Sequence, residues 1–168
     1  YETYLIAEKI YIGALKPLKA FMGQNDFISV ALKRVLTGGI FFPIPISLPV
    51  KEPLYPSLKS GEEVYLSLDG INVGVIYITD KFVIDPREFV KQIFSTNNPA
   101  HPGVKKFTNQ SGCFVGGDIR IFENQKKFLA TGEKGPAQMK EVIVDSGAKV
   151  VVGFATRNVP HQAHVYII

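Results

Sequence analysis

The sequence predicts an α+β protein in which a β-rich region is followed by the opening of an α/β unit. A hairpin signal, Asp69-Gly70, lies between two apolar runs of β type, which is typical of antiparallel strands. Near the end of the chain a helical pattern precedes the apolar run 149–154, as a strand buried on both faces requires. This change of pattern predicts two domains, residues 1–130 and residues 131–168, with the boundary in the turn-forming stretch 132–136.

The composition is that of a globular protein, with 46% hydrophobic and 20% charged residues. The net charge of +4 is compatible with an anionic substrate and equally with an ordinary surface. The lysines are scattered, which argues against a nucleic-acid-binding arm. The chain lacks both the long apolar run of a membrane span and the pattern of a signal peptide. Because it begins without methionine, we expect a trimmed N-terminus.

The single cysteine, Cys113, excludes an intrachain disulfide and a cysteine metal cluster. One cysteine suits a reducing, cytoplasmic setting. Its apolar neighbours Phe114 and Val115 predict a small buried hydrophobic residue rather than a reactive thiol.

The first part of the chain predicts two helices and an irregular segment. Apolar spacing indicates a helix over residues 2–12. A second helix, capped by Asn25 or Asp26, is expected to run to Val35. The proline-punctuated stretch 40–50 suits an irregular or edge strand.

Downstream of the hairpin, Asp85 followed by Pro86 predicts a capped helix that runs to about Phe94. The composition of residues 96–104 indicates a loop. Two short strands, separated by a bulge or turn, are then expected at 114–115 and 119–122, with Gly116-Gly117 between them.

The last segment predicts a helix from Ala137 to about Ser146, ended by Gly147. A strand over 149–154 follows and leads into a polar turn. In open α/β sheets, ligands bind just beyond the carboxyl end of a strand.

The candidate chemistry lies in that polar turn. Arg157 offers a planar fork for an oxyanion, and Asn158 follows it. His161 and His164 are three residues apart on an expected first helical turn and so share a face. A helix N-terminus also presents free N–H groups to phosphate. Together these groups predict an anion site, in which loss of one donor would cost about 10²–10³ in rate.

Other interpretations stay open. Zinc needs a further ligand, and no acidic residue lies between or after the two histidines, so we predict no metal ligands. An HxxH pair is equally compatible with ordinary helix residues. His101 lies in the predicted loop, where a packing role is favoured. The standard glycine-rich phosphate loops are absent from the sequence.

Four segments resemble, in order, the ATP sulfurylase (sulfate adenylyltransferase) family. FMGQNDFISV is similar to a family helix, FPIPISL to its "WPIPI-L" strand and NPAHPGV to its "DPAHPGV" loop, with VGG following as in the family. FATRNVPHQAH is similar to the active-site motif "FQTRNPxHRAH". The segments span nearly the whole chain.

The resemblance implies a PUA-like mixed β-barrel domain over residues 1–130. Residues 131–168 would begin a catalytic α/β domain of nucleotidyltransferase type. The family joins sulfate to the α-phosphorus of ATP, giving adenosine 5′-phosphosulfate and pyrophosphate in sulfate assimilation or dissimilation, and Mg²⁺ accompanies the ATP. A homo-oligomer of the full-length protein is implied, and neither nucleic acid nor a membrane is an expected partner.

The motif match also implies residue roles. Arg157 would hold sulfate, while Thr156 and Asn158 would shape the sulfate and ATP sites. His161 and His164 would stabilise charge on the ATP phosphates in the transition state.

This sequence departs from the family pattern at four positions, one of which is Pro160, which lies one place later than the commonest family proline. Ala155 replaces a glutamine that contacts substrate, and Gln162 and Val165 replace two charged residues. The family's downstream glycine-rich nucleotide loop has no counterpart before Ile168, so we expect the 168-residue chain alone to be inactive. Two alternatives follow: a non-catalytic PUA-like binding module, and a decayed relative with a structural role.

Overall fold

The computed structural model describes residues 2–122, 134–155, 162 and 166. Within these residues, five strands form one antiparallel sheet: β1 (Ala20–Phe21), β2 (Leu48–Pro49), β3 (Glu63–Leu68), β4 (Ile71–Val83) and β5 (Cys113–Ile121).

Five helices of the described residues lie before, between and after these strands along the chain. They are α1 (Glu2–Tyr11), α2 (Gln24–Lys33), α3 (Pro86–Phe94), α4 (Pro102–Thr108) and α5 (Pro136–Asp145), with a short 3₁₀ turn at Tyr55–Ser57.

Strand β5 joins the sheet together. It pairs with β4 along one side, while β1 and β2 lie one after the other along its other side. Ala20 is opposite Asp118, and Leu48 is opposite Val115. All these pairings are antiparallel, whereas the resemblance implies a mixed β-barrel over residues 1–130. The strand order β1-β5-β4-β3 is that of an open sheet in the described part of the chain.

The predicted hairpin is confirmed. Strands β3 and β4 are joined by Asp69 and Gly70, whose φ angles are 51° and 80°. Two successive left-handed residues make the tight turn that matches the twist of the flanking strands.

The predicted break at Gly116-Gly117 is wrong, because β5 is continuous through both glycines. The irregularity lies in the partner strand instead. Ile78 is opposite Gly117 and Asp80 is opposite Gly116, so the residue between Ile78 and Asp80 bulges out of β4.

Helix α2 is present, but its predicted cap is wrong. The N-cap is Gly23, with no side-chain cap of its own. The carboxylate of Asp80, a residue of β4, binds the start of the helix instead: its Oδ2 accepts a hydrogen bond of 2.8 Å from Gln24 N. Asp26 instead accepts bonds of 2.7 Å from the backbone N and the Oγ1 of Thr37. The helix ends at Lys33, before the predicted Val35.

The remaining predictions for the first 122 residues are largely confirmed. Helix α1 has nearly the predicted bounds, and the stretch 40–50 is irregular apart from β2. Helix α3 begins as predicted, with Asp85 Oδ1 accepting from Arg87 N at 2.9 Å. Cys113 is a buried free thiol. The predicted loop 96–104 is wrong at its end, because Pro102 begins α4.

Two apolar clusters stabilise this region. The larger one packs α1 against the inner face of the sheet, with buried Tyr4, Ile10 and Ile76 among its members. The second cluster is aromatic and lies between α2, α3 and the ends of β4 and β5, with Phe27 at its centre. The ring of Phe27 lies 5.6–6.4 Å, centroid to centroid, from four other phenylalanine rings.

The C-terminal part is different. Helix α5 follows the prediction, and Gly147 is left-handed at φ 63°. The predicted strand 149–154 is wrong, since the stretch forms no strand, and Val150, Val151 and Val152 are 79%, 56% and 85% exposed. A buried parallel strand needs neighbours on both sides, and none of the described strands pairs with it. The predicted boundary near residue 130 lies outside the described residues.

Candidate functional site

Of the predicted site residues, the structure describes Ala155. It is exposed at the end of the irregular apolar stretch that follows α5. The others lie outside the described residues, and their placement stays a prediction: Thr156, Arg157, Asn158, His161 and His164.

The helix that leads to this segment presents an apolar surface. At its N-terminus, Gly135 N donates a hydrogen bond of 3.0 Å to Gln138 Oε1. No residue of α5 is buried, and Met139, Val142 and Val144 are all exposed. In the described part, the segment that leads to the predicted site is therefore a helix and an irregular stretch with exposed apolar side chains.

The first two motifs of the resemblance meet in space. Met22 N donates to Ile46 O at 2.8 Å, and Ser47 Oγ donates to Met22 O at 2.8 Å. Ile46 N in turn donates to Met22 Sδ at 3.3 Å. These bonds tie the proline-rich segment to the end of β1, so the contact is structural.

The two glycines of the VGG motif allow neighbouring backbone segments to pack closely. A Cβ on Gly116 would lie 2.6 Å from Gly23 N, and a Cβ on Gly117 would overlap the carbonyl oxygen of Tyr77. Contacts below about 3 Å are not seen for real Cβ atoms. The two glycines let β5 lie against the start of α2 on one side and against β4 on the other.

The PAHPGV motif is a helix start. His101 is the N-cap of α4, and its Nδ1 accepts a hydrogen bond of 3.3 Å from Val104 N. The imidazole ring lies 5.5 Å from the ring of Phe94. A Cβ on Gly103 would lie 2.6 Å from Phe94 Cε1, which explains the glycine. His101 therefore caps and packs, and its position directly before Pro102 is the sequence signal for this role.

A further polar cluster lies beneath the 3₁₀ turn. Lys81 Nζ donates to the carbonyl oxygens of Tyr55 and Leu58 at 2.9 and 2.6 Å, and it lies 4.3 Å from the centroid of the Tyr55 ring. Burial raises the pKa of Tyr55, and the charges of Cys113 and Asp80 add to the rise. Because both hydrogen bonds of Lys81 go to backbone oxygens, this cluster stabilises the 3₁₀ turn at Tyr55–Ser57.

The described residues contain no group of three or more histidine, cysteine or acidic side chains that could hold a metal ion. Among the helices of the same residues, none is long and apolar enough to cross a membrane.

An antiparallel sheet with helices packed against it and glycines at its closest contacts defines a small α+β domain. The chain belongs to the PUA-like domain family, whose match covers residues 3–124. The sequence-based prediction of this family is confirmed.

The chain is also similar to curated sulfate adenylyltransferases. It is 37% identical over 166 residues to the sulfate adenylyltransferase of Persephonella marina, covering 96% of this chain and 43% of that protein. It is 33% identical over 162 residues to the one of a Synechococcus strain, covering 95% of this chain and 41% of the relative. The chain thus spans about two-fifths of the length of these relatives.

Among solved structures, the fold resembles part of a chain described as a hexameric APS kinase from Thiobacillus denitrificans. The TM-score is 0.59 at 16% identity, over 88% of this chain and 25% of that one. At this identity the likeness concerns the fold alone.

Proposed function

We propose that this chain is part of a sulfate adenylyltransferase, which converts ATP and sulfate to adenosine 5′-phosphosulfate and pyrophosphate. The observation that supports it is the identity of 33–37% to proteins of that name over nearly the whole chain. We further propose a PUA-like domain over residues 1–130 and the start of a nucleotidyltransferase-type domain over 131–168. A cytoplasmic setting, suggested by the single cysteine, and a homo-oligomeric full-length protein belong to the same proposal.

The proposed chemistry is an in-line displacement at the α-phosphorus of ATP, with Mg²⁺ bound to the nucleotide as part of the substrate. Arg157 holds sulfate, and Thr156 and Asn158 orient it beside the nucleotide. His161 and His164 donate to phosphate oxygens as charge builds. Positioning and fixed donors supply most of the rate in such a reaction.

Ala155 is the residue on which this proposal depends most. It stands where the family pattern has glutamine, and it is exposed at the edge of the described segment. A methyl group cannot donate to an oxyanion, so sulfate binding here rests on Arg157 and its neighbours. Restoring the amide should tighten sulfate binding if the site is otherwise intact.

A chimera tests the proposal. Residues 1–168 of this chain replace the corresponding part of the Persephonella marina protein, and formation of adenosine 5′-phosphosulfate is measured. We expect activity, with Ala155→Gln lowering KM for sulfate and His164→Ala lowering kcat by about 10²–10³. The 168-residue chain alone, assayed in parallel, should be inactive.

The outcomes separate the alternatives, provided the chimera has the circular dichroism and elution volume of its parent. Activity of the Ala155→Gln chimera alone would identify this sequence as a decayed relative. Inactivity of both chimeras would refute the catalytic proposal. A third class, a non-catalytic binding module for RNA, predicts RNA binding that weakens steeply with salt; the scattered lysines disfavour it.

A further inference from the structure

A pocket of about 130 Å³ lies between α1, α4 and the segment that leads into β2. We call it the Phe pocket, because four of its lining residues are phenylalanines: Phe21, Phe27, Phe107 and Phe114. Three of them, Phe21, Phe27 and Phe114, are also members of the buried core, so part of the pocket wall belongs to that core.

One buried polar atom in the wall of this pocket lacks a hydrogen-bond partner among the described residues. Gln110 lines the pocket, and its Oε1 is buried without a hydrogen-bond donor in the described part of the chain. A buried acceptor without a partner costs about 1–3 kcal/mol. Ser47 also lines the pocket, but its hydroxyl already donates to Met22 O, which leaves it only as an acceptor.

The rim of the pocket carries balanced charge. Glu2 and Lys106 both line it and form an ion pair with each other, and both side chains are exposed. Neither charge is therefore left to attract an ion into the pocket. The pocket therefore suits a neutral molecule better than an ion.

We propose that the Phe pocket binds a small, flat, neutral molecule that carries a single hydroxyl or N–H donor, of the phenol class. The donor bonds to Gln110 Oε1, and the apolar body lies among the phenylalanine rings. The size fits, since an apolar cavity of about 150 Å³ takes up benzene. Water is the poorer occupant, because each buried water needs about three polar partners and the walls are mainly apolar.

Phenol and toluene are the probes, because they have nearly the same shape and differ in the donor. Each is titrated into the 168-residue chain, and the aromatic NMR signals of the phenylalanine rings are followed. We expect saturable shifts with both ligands. Gln110→Met, which keeps the length of the side chain and removes the acceptor, should weaken phenol at least tenfold and change toluene less than threefold.

Gln92→Met is the matched control, since Gln92 is an exposed residue of α3 away from the pocket lining. It should leave both affinities unchanged. Gln110→Leu serves as a second variant if the methionine variant folds poorly. The absence of saturable shifts in the unaltered chain would overturn the proposal, as would an equal loss of phenol and toluene binding in the Gln110 variants. Neither result bears on adenylyl transfer.

Discussion

Residues 2–122 and residues 134–155 use apolar side chains in opposite ways. In the first region Phe27 is 1% exposed and contacts four other rings, and two apolar clusters pack helices against the sheet. In the second region a helix of ten residues buries none of its side chains, and the valines after it are exposed. The first region has its packing partners within the described residues, whereas the second does not.

The motifs follow the same division. In residues 2–122, the motif residues have structural roles. Ser47 bonds a loop to the end of β1, His101 caps a helix and Gly116 allows close packing. Downstream, the motif with the proposed chemistry follows the exposed apolar stretch. A family motif can thus mark a packing requirement in one place and a reaction in another.

The largest expected effect concerns the aromatic cluster. Phe27→Ala should lower the free energy of unfolding by about 3–5 kcal/mol, because it removes a buried ring and leaves a cavity. Val152→Ala, in the exposed stretch, should change it by less than about 0.5 kcal/mol. Urea denaturation of the 168-residue chain measures both values. A large cost for Val152→Ala would mean that the second region is packed after all.

A matched pair of glycines gives the next largest effect. Gly116→Ala should cost about 1–3 kcal/mol, because the new Cβ meets the backbone of Gly23 and the strands must shift. Gly153→Ala should be neutral, since nothing lies within 4 Å of the added Cβ. The same denaturation experiment applies, and faster amide exchange in β5 of the Gly116 variant would locate the strain. Equal costs at both sites would contradict the comparison.

The cap of α4 predicts a smaller loss. His101→Ala should destabilise the chain by about 1 kcal/mol, since Val104 N loses its acceptor. His101→Asn keeps a capping oxygen and should recover most of that loss. If alanine and asparagine cost the same, the contact of the tilted imidazole ring with Phe94 would be the main contribution of His101, and the capping bond a minor one.

The smallest effect is a pH dependence. Burial raises the pKa of Tyr55 above its usual value of 10.0, so the folded state favours the neutral phenol. That contribution to stability is complete below the unfolded pKa and is lost as pH rises through the folded one. Relative to Tyr55→Phe, which cannot ionise at this position, the unaltered chain should therefore lose unfolding free energy as pH rises above about 10. Curves that stay parallel would show that Tyr55 is not shifted.

Local signals in the sequence predicted the elements that depend on neighbouring residues. Asp69-Gly70 and Asp85-Pro86 act within a few positions, and the hairpin turn and the helix cap that they predict are both present. The cap of α2 could not be predicted, because Asp80, which bonds to its first turn, lies 56 residues away. The course of β5 through Gly116 was missed for a similar reason, since the bulge belongs to its partner strand.

The candidate site was predicted from residue chemistry and resemblance, and Ala155 is the one residue of it that the structure describes. The apolar run 149–154 illustrates the limit of such prediction. Its composition indicates that it can be buried, but only its neighbours decide whether it forms a strand. The family, in contrast, could be predicted because four motifs in order constrain the whole chain at once.

The position of β5 also bears on how the protein folds as it is synthesised. Strands β1, β2 and β4 all pair with β5, yet β5 is the last strand of the sheet to leave the ribosome. Until the residues of β5 from Phe114 to Asp118 have emerged, β1 and β2 lack their partners in the sheet, and only the β3–β4 hairpin can pair. Such long-range pairing slows folding and leaves strand edges open to other chains. The nascent chain should therefore depend most on protection from aggregation just before β5 appears.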